Sequence, residues 1–313
     1  MSLEACLPPD LRGPTTTITK MDGGLSGAGV YRVEAAGGLF VLKLSVPDEP
    51  LAAWRRTLRI RRLAAAAGVA PPVVHVDETR RAVVSAFVVD RSFPAVYHDP
   101  RTHDAALAQL GRTVRRVHDL PLSPDDEAKD PLELLAATWS ALGTDFAVPA
   151  FVRDAVSRVL TEPAPVRERA SVLSHNDVNP SNLVYDGENL LLLDWEAAGP
   201  NDPFYDLATV SLFLRMDAGR CAKLLAAYDD APVAALPAGF EYNRRLVAAL
   251  SGGMFLRFAQ QRGHAGAAGD ETLASTLSLG EVYQRMRSGS QSLTTGDGQY
   301  RMGLALIKES VAF

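Results

Sequence analysis

The chain has 313 residues, of which 47% are hydrophobic and 22% are charged, with a formal net charge of −5, a composition typical of a globular protein with one large or two modest domains. The acidic balance argues against a nucleic-acid partner, and the only cysteines, Cys6 and Cys221, provide neither a disulfide framework nor a zinc site. No apolar run reaches membrane-spanning length and the first ten residues lack the features of a signal peptide, so we expect a cytoplasmic protein with no membrane partner.

The first predicted elements are strands between residues 15 and 44, with a glycine-rich run at 23–29. A glycine-rich turn between strands lets backbone amides approach phosphate groups closely. Its spacing matches neither the dinucleotide-binding fingerprint nor the P-loop. Lys43 lies in the apolar strand that follows, where a lysine is costly unless it finds an anion.

A helix is predicted next, over residues 51–67, because Gly68 and Pro71-Pro72 provide a stop. It contains a run of arginines between 55 and 62, which we interpret as a solvated face. Strands are predicted at 73–77 and 82–89.

From residue 90 onward the pattern is mainly helical. Apart from the segment between 174 and 206, apolar residues recur at helical spacing. The predicted helices are 104–118, 132–142, 151–160, 203–216, 218–228, 240–262 and 271–286. The chain then reads SGSQSLTTGDGQ from 288 to 299, which predicts a flexible segment.

The segment between residues 174 and 206 concentrates the polar chemistry. Its candidate functional side chains are His175, Asp177, Asn182, Asp194, Glu196 and Asp206. Apolar stretches at 183–185 and 190–193 flank an Asp186-Gly187 turn, which predicts a β-hairpin. A hairpin brings the residues before its first strand to those after its second.

We therefore expect Asp177, Asn182 and Asp194 to converge at one end of this hairpin. Two carboxylates and an amide oxygen are hard ligands that suit Mg²⁺, together with a base for a hydroxyl nucleophile. Asp206 is expected to tie the helix that begins at 203 to the same loop, or to cap that helix.

This pattern, His-x-Asp-x-x-x-x-Asn followed by Asp-Trp-Glu, resembles the aminoglycoside phosphotransferase and choline kinase superfamily, which has a protein-kinase-like fold. The run from Asp194 to Ala208 and the sequence His175-Asn176-Asp177 are most similar to the bacterial choline kinase branch. The resemblance implies a two-lobed α+β fold with an N-terminal antiparallel sheet, one helix and a mostly helical C-terminal lobe. We expect lobes at 1–89 and 90–287, and a flexible tail at 288–313.

The resemblance also implies roles for individual residues, with ATP and Mg²⁺ as cofactors. Asp177 would be the base, oriented by His175, while Asn182 and Asp194 would bind the metal. The phosphates would be held by Lys43 and the loop at Ser26, Gly27 and Ala28. Adenine would bind backbone groups at Ala86, Phe87 and Val88.

One position departs from the family pattern. The helix predicted at 51–67 contains no acidic residue, and Thr57 stands where the lysine's glutamate partner is expected. Glu49, just upstream, is an alternative partner for Lys43.

The acceptor is expected to be a small hydroxylated molecule, with choline, ethanolamine or a similar amino alcohol favoured. Aromatic residues that could contact an ammonium group include Tyr242, Phe255 and Phe258, and Glu196 could face the same molecule. Tryptophans expected in choline kinases are absent from these positions, and the Ser26–Ala28 sequence resembles the aminoglycoside branch. An aminoglycoside acceptor is the alternative.

Two hypotheses that assign the chain to other functional classes remain open. The missing helix glutamate would fit a catalytically inactive nucleotide-binding module, although the three catalytic positions are all present. The arginine run at 55–62 would fit an adaptor for an acidic partner. The sequence leaves the oligomeric state open.

Overall fold

The computed structural model describes residues 2–21, 29–46, 48–269 and 271–312. In these ranges, the strands are β1 (Thr17–Lys20), β2 (Gly29–Ala35), β3 (Gly38–Leu44), β4 (Val73–Asp77), β5 (Ala82–Ala86), β6 (Val172–Ser174), β7 (Leu183–Tyr185), β8 (Leu190–Leu192) and β9 (Gly199–Asn201). The helices are α1 (Leu51–Ala66), α2 (Phe93–His98), α3 (His103–His118), α4 (Pro131–Leu142), α5 (Ala150–Thr161), α6 (Pro203–Phe213), α7 (Ala218–Asp229), α8 (Ala238–Gln261), α9 (Leu279–Arg287) and α10 (Gly296–Ala312). The expected two-lobed α+β architecture is confirmed.

The N-terminal lobe is an antiparallel sheet in the order β1-β2-β3-β5-β4. One face packs on α1, where Trp54 and Leu58 contact Val83. Lys43 pairs with Val83 in the register of β3 and β5, so its side chain lies on the same face, toward α1. The opposite face is covered by Leu7 and its neighbours in the N-terminal segment.

The C-terminal lobe is a set of packed helices that carries two small antiparallel sheets, β6-β9 and β7-β8. Several of these helices have an aspartate N-cap, whose side chain accepts a hydrogen bond from a backbone amide of the first turn. These aspartates are Asp130 before α4, Asp202 before α6 and Asp217 before α7. No helix in the described ranges is both long and apolar enough to cross a membrane.

Three predicted boundaries differ by three residues or more, one of them the end of α6, which is Phe213 rather than 216. β5 ends at Ala86 rather than 89, since the Phe87 amide makes the last hydrogen bond to β3, to the Leu39 carbonyl, and the chain then leaves the sheet. The helix expected at 271–286 begins only at Leu279, because Ser278 and Glu281 form a reciprocal capping box there.

The predicted flexible tail at 288–313 is also wrong, since α10 is a 17-residue helix packed along α8. Its residues Leu304 and Ile307 are buried, and Gly303 approaches the backbone of Gly252 in α8 so closely that a Cβ at 303 would lie 2.9 Å from the Gly252 oxygen. The absence of a side chain at Gly303 therefore permits close packing of the two helices.

Ile307→Ala should lower the free energy of unfolding by about 2–5 kcal/mol, because it removes a fully buried side chain from the α8–α10 contact. Val311→Ala, on an exposed position of the same helix, should change it by less than about 0.5 kcal/mol. Urea denaturation followed by circular dichroism measures both. Equal, negligible effects would mean that residues beyond 295 do not pack in solution.

Candidate active site

The hairpin formed by β7 and β8 places the polar residues of this segment. Leu183 pairs with Leu192, and the turn is closed by the Asp186 carboxylate, which accepts hydrogen bonds from the amides of Glu188 and Asn189 at 2.8 and 2.7 Å. The Leu193 amide then donates to the Asn182 carbonyl at 2.9 Å. Asn182 and Asp194 therefore lie side by side at the open end of the hairpin.

Asp177 lies beside Asn182, and its carboxylate accepts hydrogen bonds from two asparagines. Asn182 Nδ2 donates to Oδ2 at 2.7 Å, and Asn179 Nδ2 donates to Oδ1 at 2.7 Å. Burial raises the pKa of Asp177 above its usual value, and the Asp194 carboxylate adds to this, whereas the hydrogen bond from Asn179 opposes it. A carboxylate with a raised pKa is a better proton acceptor.

Lys43 reaches this cluster from the other lobe. Its Nζ lies 2.7 Å from Asp194 Oδ1 and also forms an ion pair with Glu196. The lysine side chain is only 12% exposed, whereas the two carboxylates are 45% and 44% exposed. Glu49, the alternative partner predicted from the sequence, instead accepts a hydrogen bond from Ser45.

His175 is fully buried and holds a neighbouring loop rather than the reacting groups. Its Nε2 donates to the Leu193 carbonyl at 2.8 Å, and its ring packs edge-on against Trp195, with centroids 4.6 Å apart. This geometry is that of a positioning residue, because it fixes the backbone just before Asp194.

The carboxylate of Asp206 anchors the loop that carries Asp177. It accepts hydrogen bonds from the amides of His175 and Asn176 at 2.7 and 2.8 Å, and from His118 Nε2 at 3.0 Å. Burial alone would raise the pKa of Asp206, but the hydrogen bond and charge of His118 hold it below its usual value. His118 in turn contacts the Tyr228 hydroxyl at 2.9 Å through Nδ1.

Asn176 links the two functional loops. Its backbone φ is 64°, a left-handed conformation that asparagine tolerates better than most residues. Its side-chain Nδ2 donates to the Ala197 carbonyl at 3.0 Å, and Asn201 Nδ2 donates to its Oδ1 at 2.8 Å. The loop before Asp177 is therefore tied to the segment after Glu196.

The donor set fits a divalent cation that is shared with phosphate. Asn182 uses its amide nitrogen on Asp177, so its Oδ1 accepts no hydrogen bond from another described residue and is free for a metal. Asp194 presents a second, partly exposed oxygen. In the described part of the chain, no three His, Cys, Asp or Glu residues are grouped as a metal site. Mg²⁺ takes six oxygen ligands and usually keeps several waters, so two protein ligands with phosphate oxygens and water suit it.

The predicted adenine segment lies where the two lobes join. The amides of Ala86 and Phe87 donate to Pro72 and Leu39, both at 3.0 Å. The Val88 amide makes no backbone hydrogen bond to another described residue, and adenine binding at this segment stays a prediction. The predicted phosphate-binding residues Ser26, Gly27 and Ala28 lie outside the described residues.

The prediction that the arginines of α1 form a simple solvated face is wrong. Arg56 pairs with Glu127 at 3.0 Å and Arg59 pairs with Asp126, which joins α1 to the acidic segment before α4. Arg61 points to the cleft, donates to Ser85 at 3.0 Å, and has its pKa lowered by burial, against the opposing charges of Glu196 and Asp194. The position of Arg61 in the cleft could not be predicted from the sequence, because Arg61 is one of several arginines in the same run.

The predicted acceptor residues are not brought together. Tyr242 is buried in an apolar cluster with α4, α5 and α10. Phe255 and Phe258 contact each other edge-on at 6.1 Å. No contact recorded among the described residues joins these three rings to Asp177 or Asp194, so their role in binding stays a prediction.

A buried carboxylate, an amide and carboxylate pair, and a lysine from the facing lobe therefore lie together between the two lobes of a protein-kinase-like fold. A family model for the phosphotransferase enzyme family matches residues 17–247. Because the match spans most of the chain, the protein belongs to this family.

Individual relatives share the fold or a short segment. Over 36 residues the chain is 44% identical to protein LicA of Haemophilus influenzae, a match that covers 12% of this chain and only 14% of that protein. Choline kinase LicA from Streptococcus pneumoniae is similar in structure, with a TM-score of 0.62 and 14% identity over 95% of this chain and 94% of that chain. A macrolide 2'-phosphotransferase from Brachybacterium faecium has a TM-score of 0.61 and 20% identity over 84% of this chain and 96% of that chain.

Asp206→Asn should lower the free energy of unfolding by about 3–5 kcal/mol, because it removes the charge that His118 and two buried amides stabilise. Since the pKa of Asp206 is lowered by folding, this contribution should be complete above about pH 4 and disappear as the pH falls further, through the folded-state pKa. Urea denaturation at a series of pH values measures it.

The matched control is Asp202→Asn, at the start of the same helix. Asparagine caps helices about as well as aspartate, so this change should cost less than about 0.5 kcal/mol. Equal effects for the two variants would show that the Asp206 carboxylate is not the anchor of the loop.

Proposed function

We propose that the protein transfers the γ-phosphate of ATP, bound with Mg²⁺, to a hydroxyl group of a small molecule, with choline, ethanolamine or a similar amino alcohol as the acceptor. The observation that carries the proposal is the meeting of Asp177, Asn182 and Asp194 with Lys43 in the cleft between the lobes. Membership of the phosphotransferase family supports the reaction class.

In the proposed mechanism, Asp177 accepts the proton of the acceptor hydroxyl. The hydroxyl oxygen forms a bond to the γ-phosphorus while the bond from that phosphorus to the bridging oxygen breaks, and ADP leaves. Mg²⁺, when bound, neutralises charge on the phosphates. Asn182 Oδ1 and the Asp194 carboxylate would hold it, and Lys43 would hold phosphate oxygens once nucleotide and metal draw Asp194 from its present ion pair with the lysine.

The buried hydrogen-bond network supports this use of Asp177. Asn179 and Asn182 fix both of its carboxylate oxygens, so the base is oriented before the acceptor arrives. His175 and Asp206 fix the backbone on either side of the site. Such preorganisation fits an active enzyme better than an inactive nucleotide-binding module.

The amino alcohol acceptor has narrower support. It rests on the short segment shared with protein LicA of Haemophilus influenzae, which carries the same protein name as the structurally similar choline kinase of Streptococcus pneumoniae, and on the sequence from Asp194 to Ala208. The fold does not choose between acceptors, because a choline kinase and a macrolide phosphotransferase are about equally similar to it. An antibiotic acceptor is therefore the second candidate.

Asp177→Asn should lower kcat by at least about 100-fold while leaving nucleotide binding nearly unchanged, because it removes the base with little change in volume. It should also lower the free energy of unfolding by about 1–3 kcal/mol, because an asparagine offers one oxygen to the two amide donors of Asn179 and Asn182. In the wild type, kcat/KM should fall as the pH drops through the raised pKa of Asp177. Asn179→Ala removes a hydrogen bond that lowers this pKa, so it should move that decline to higher pH.

The control for the pH profile is Ser181→Ala, which changes a neighbour that contacts Asn179 but not Asp177. Its pH profile should match that of the wild type. If the kcat of Asp177→Asn is within a few-fold of the wild-type value, Asp177 is not the base.

The acceptor should be identified by measuring ADP release from ATP·Mg²⁺ with choline, ethanolamine, thiamine, kanamycin, a macrolide and a hexose. We expect turnover with choline or ethanolamine, and little with the others. Phosphate transfer is confirmed by mass spectrometry of the product. Turnover confined to kanamycin or the macrolide would overturn the amino alcohol proposal, and the absence of turnover for every compound would remove this set of acceptors.

A further inference from the structure

The ion pairs of Lys43 cross from one lobe to the other. Lys43 lies in β3, paired on either side with Val30 and Val83, where a cation needs an anion close by. Its two carboxylate partners, Asp194 and Glu196, both come from the segment after β8 in the C-terminal lobe. Neither partner comes from α1, which packs over the same face of the sheet.

Helix α1 presents a cation to this region instead of an anion. Thr57 and Arg61 line the same cavity, of about 430 Å³, as Lys43 and Glu196. The helix contains no acidic residue, and the carboxylate of Glu49 is hydrogen-bonded to Ser45. Glu196 therefore lines this cavity together with two cations of the N-terminal lobe, Lys43 from the sheet and Arg61 from the helix, and with Asp48 and Glu49 from the segment before the helix.

We propose that Glu196 is the positioning residue for Lys43, in the place that a glutamate from α1 would otherwise take, and that Arg61 holds Glu196 there. The inference rests on the proposed function in one respect: when Mg²⁺ and nucleotide engage Asp194, Glu196 is the carboxylate that remains on Lys43. The lysine is then oriented toward phosphate by the lobe that carries the base, so the two lobes are coupled through one ion pair.

The arrangement predicts that a carboxylate supplied from α1 can replace Glu196. Glu196→Gln should lower kcat/KM for ATP by about 10- to 100-fold, the range seen when a residue that orients a functional group is changed. Adding Thr57→Glu to this variant should restore most of the loss, because position 57 lines the same cavity. Adding Thr57→Gln, which has the same size without the charge, should not.

Steady-state kinetics with varied ATP and varied Mg²⁺ separates this role from metal binding. If Glu196 orients Lys43, Glu196→Gln should leave the Mg²⁺ concentration for half-maximal rate nearly unchanged, and Thr57→Glu should rescue the rate. A large rise in the Mg²⁺ requirement, without rescue, would make Glu196 a metal ligand and overturn the inference. Equal rescue by Thr57→Glu and Thr57→Gln would also overturn it.

A second measurement needs no turnover, so it decides the inference even if the proposed function fails. The melting temperatures of the wild type, Glu196→Gln, Thr57→Glu and the double variant form a thermodynamic cycle without ligand. Thr57→Glu should stabilise the protein more in the Glu196→Gln background than in the wild type, because Lys43 then keeps only one of its two carboxylate partners, Asp194. Additive shifts would show that the two positions do not serve the same cations.

Discussion

The site depends on the hydrogen bonds that the buried carboxylate of Asp206 accepts. It accepts hydrogen bonds from two successive backbone amides, at His175 and Asn176, and is held ionised by His118. A charge without solvent is stable only with such partners, so the loop before Asp177 has one low-energy position. The strand β6, the hairpin of β7 and β8, and the start of α6 all meet at this point.

Charge balance across the cleft is the second constraint. Lys43 and Arg61 from the N-terminal lobe face Asp194 and Glu196 from the C-terminal lobe. Opposite charges on the two lobes favour a closed arrangement, and the partial exposure of both carboxylates leaves them accessible to a metal and phosphate. The same residues thus hold the lobes together and prepare the site for a nucleotide.

The sequence predicted the features that short-range geometry dictates. The Asp186-Gly187 turn and the apolar stretches beside it were enough to place Asn182 next to Asp194. Contacts between distant segments could not be predicted in this way. The residues around Arg59 do not indicate that it pairs with Asp126, and those around His118 do not indicate that it pairs with Asp206. The tail was predicted to be flexible from the polar, low-complexity run at 288–299, although the residues after it, Leu304 and Ile307, are buried where α10 packs on α8.

The central claim is that Asn182 and Asp194 bind the metal of a nucleotide complex while Asp177 stays outside its coordination shell as the base. A crystal structure with Mn²⁺ and a non-hydrolysable ATP analogue, with the ion located by anomalous scattering, tests it most directly. We predict an anomalous peak within about 2.3 Å of Asn182 Oδ1 and an Asp194 oxygen, with the Asp177 carboxylate beyond direct contact. A peak coordinated by Asp177, or one distant from Asn182, would contradict this account.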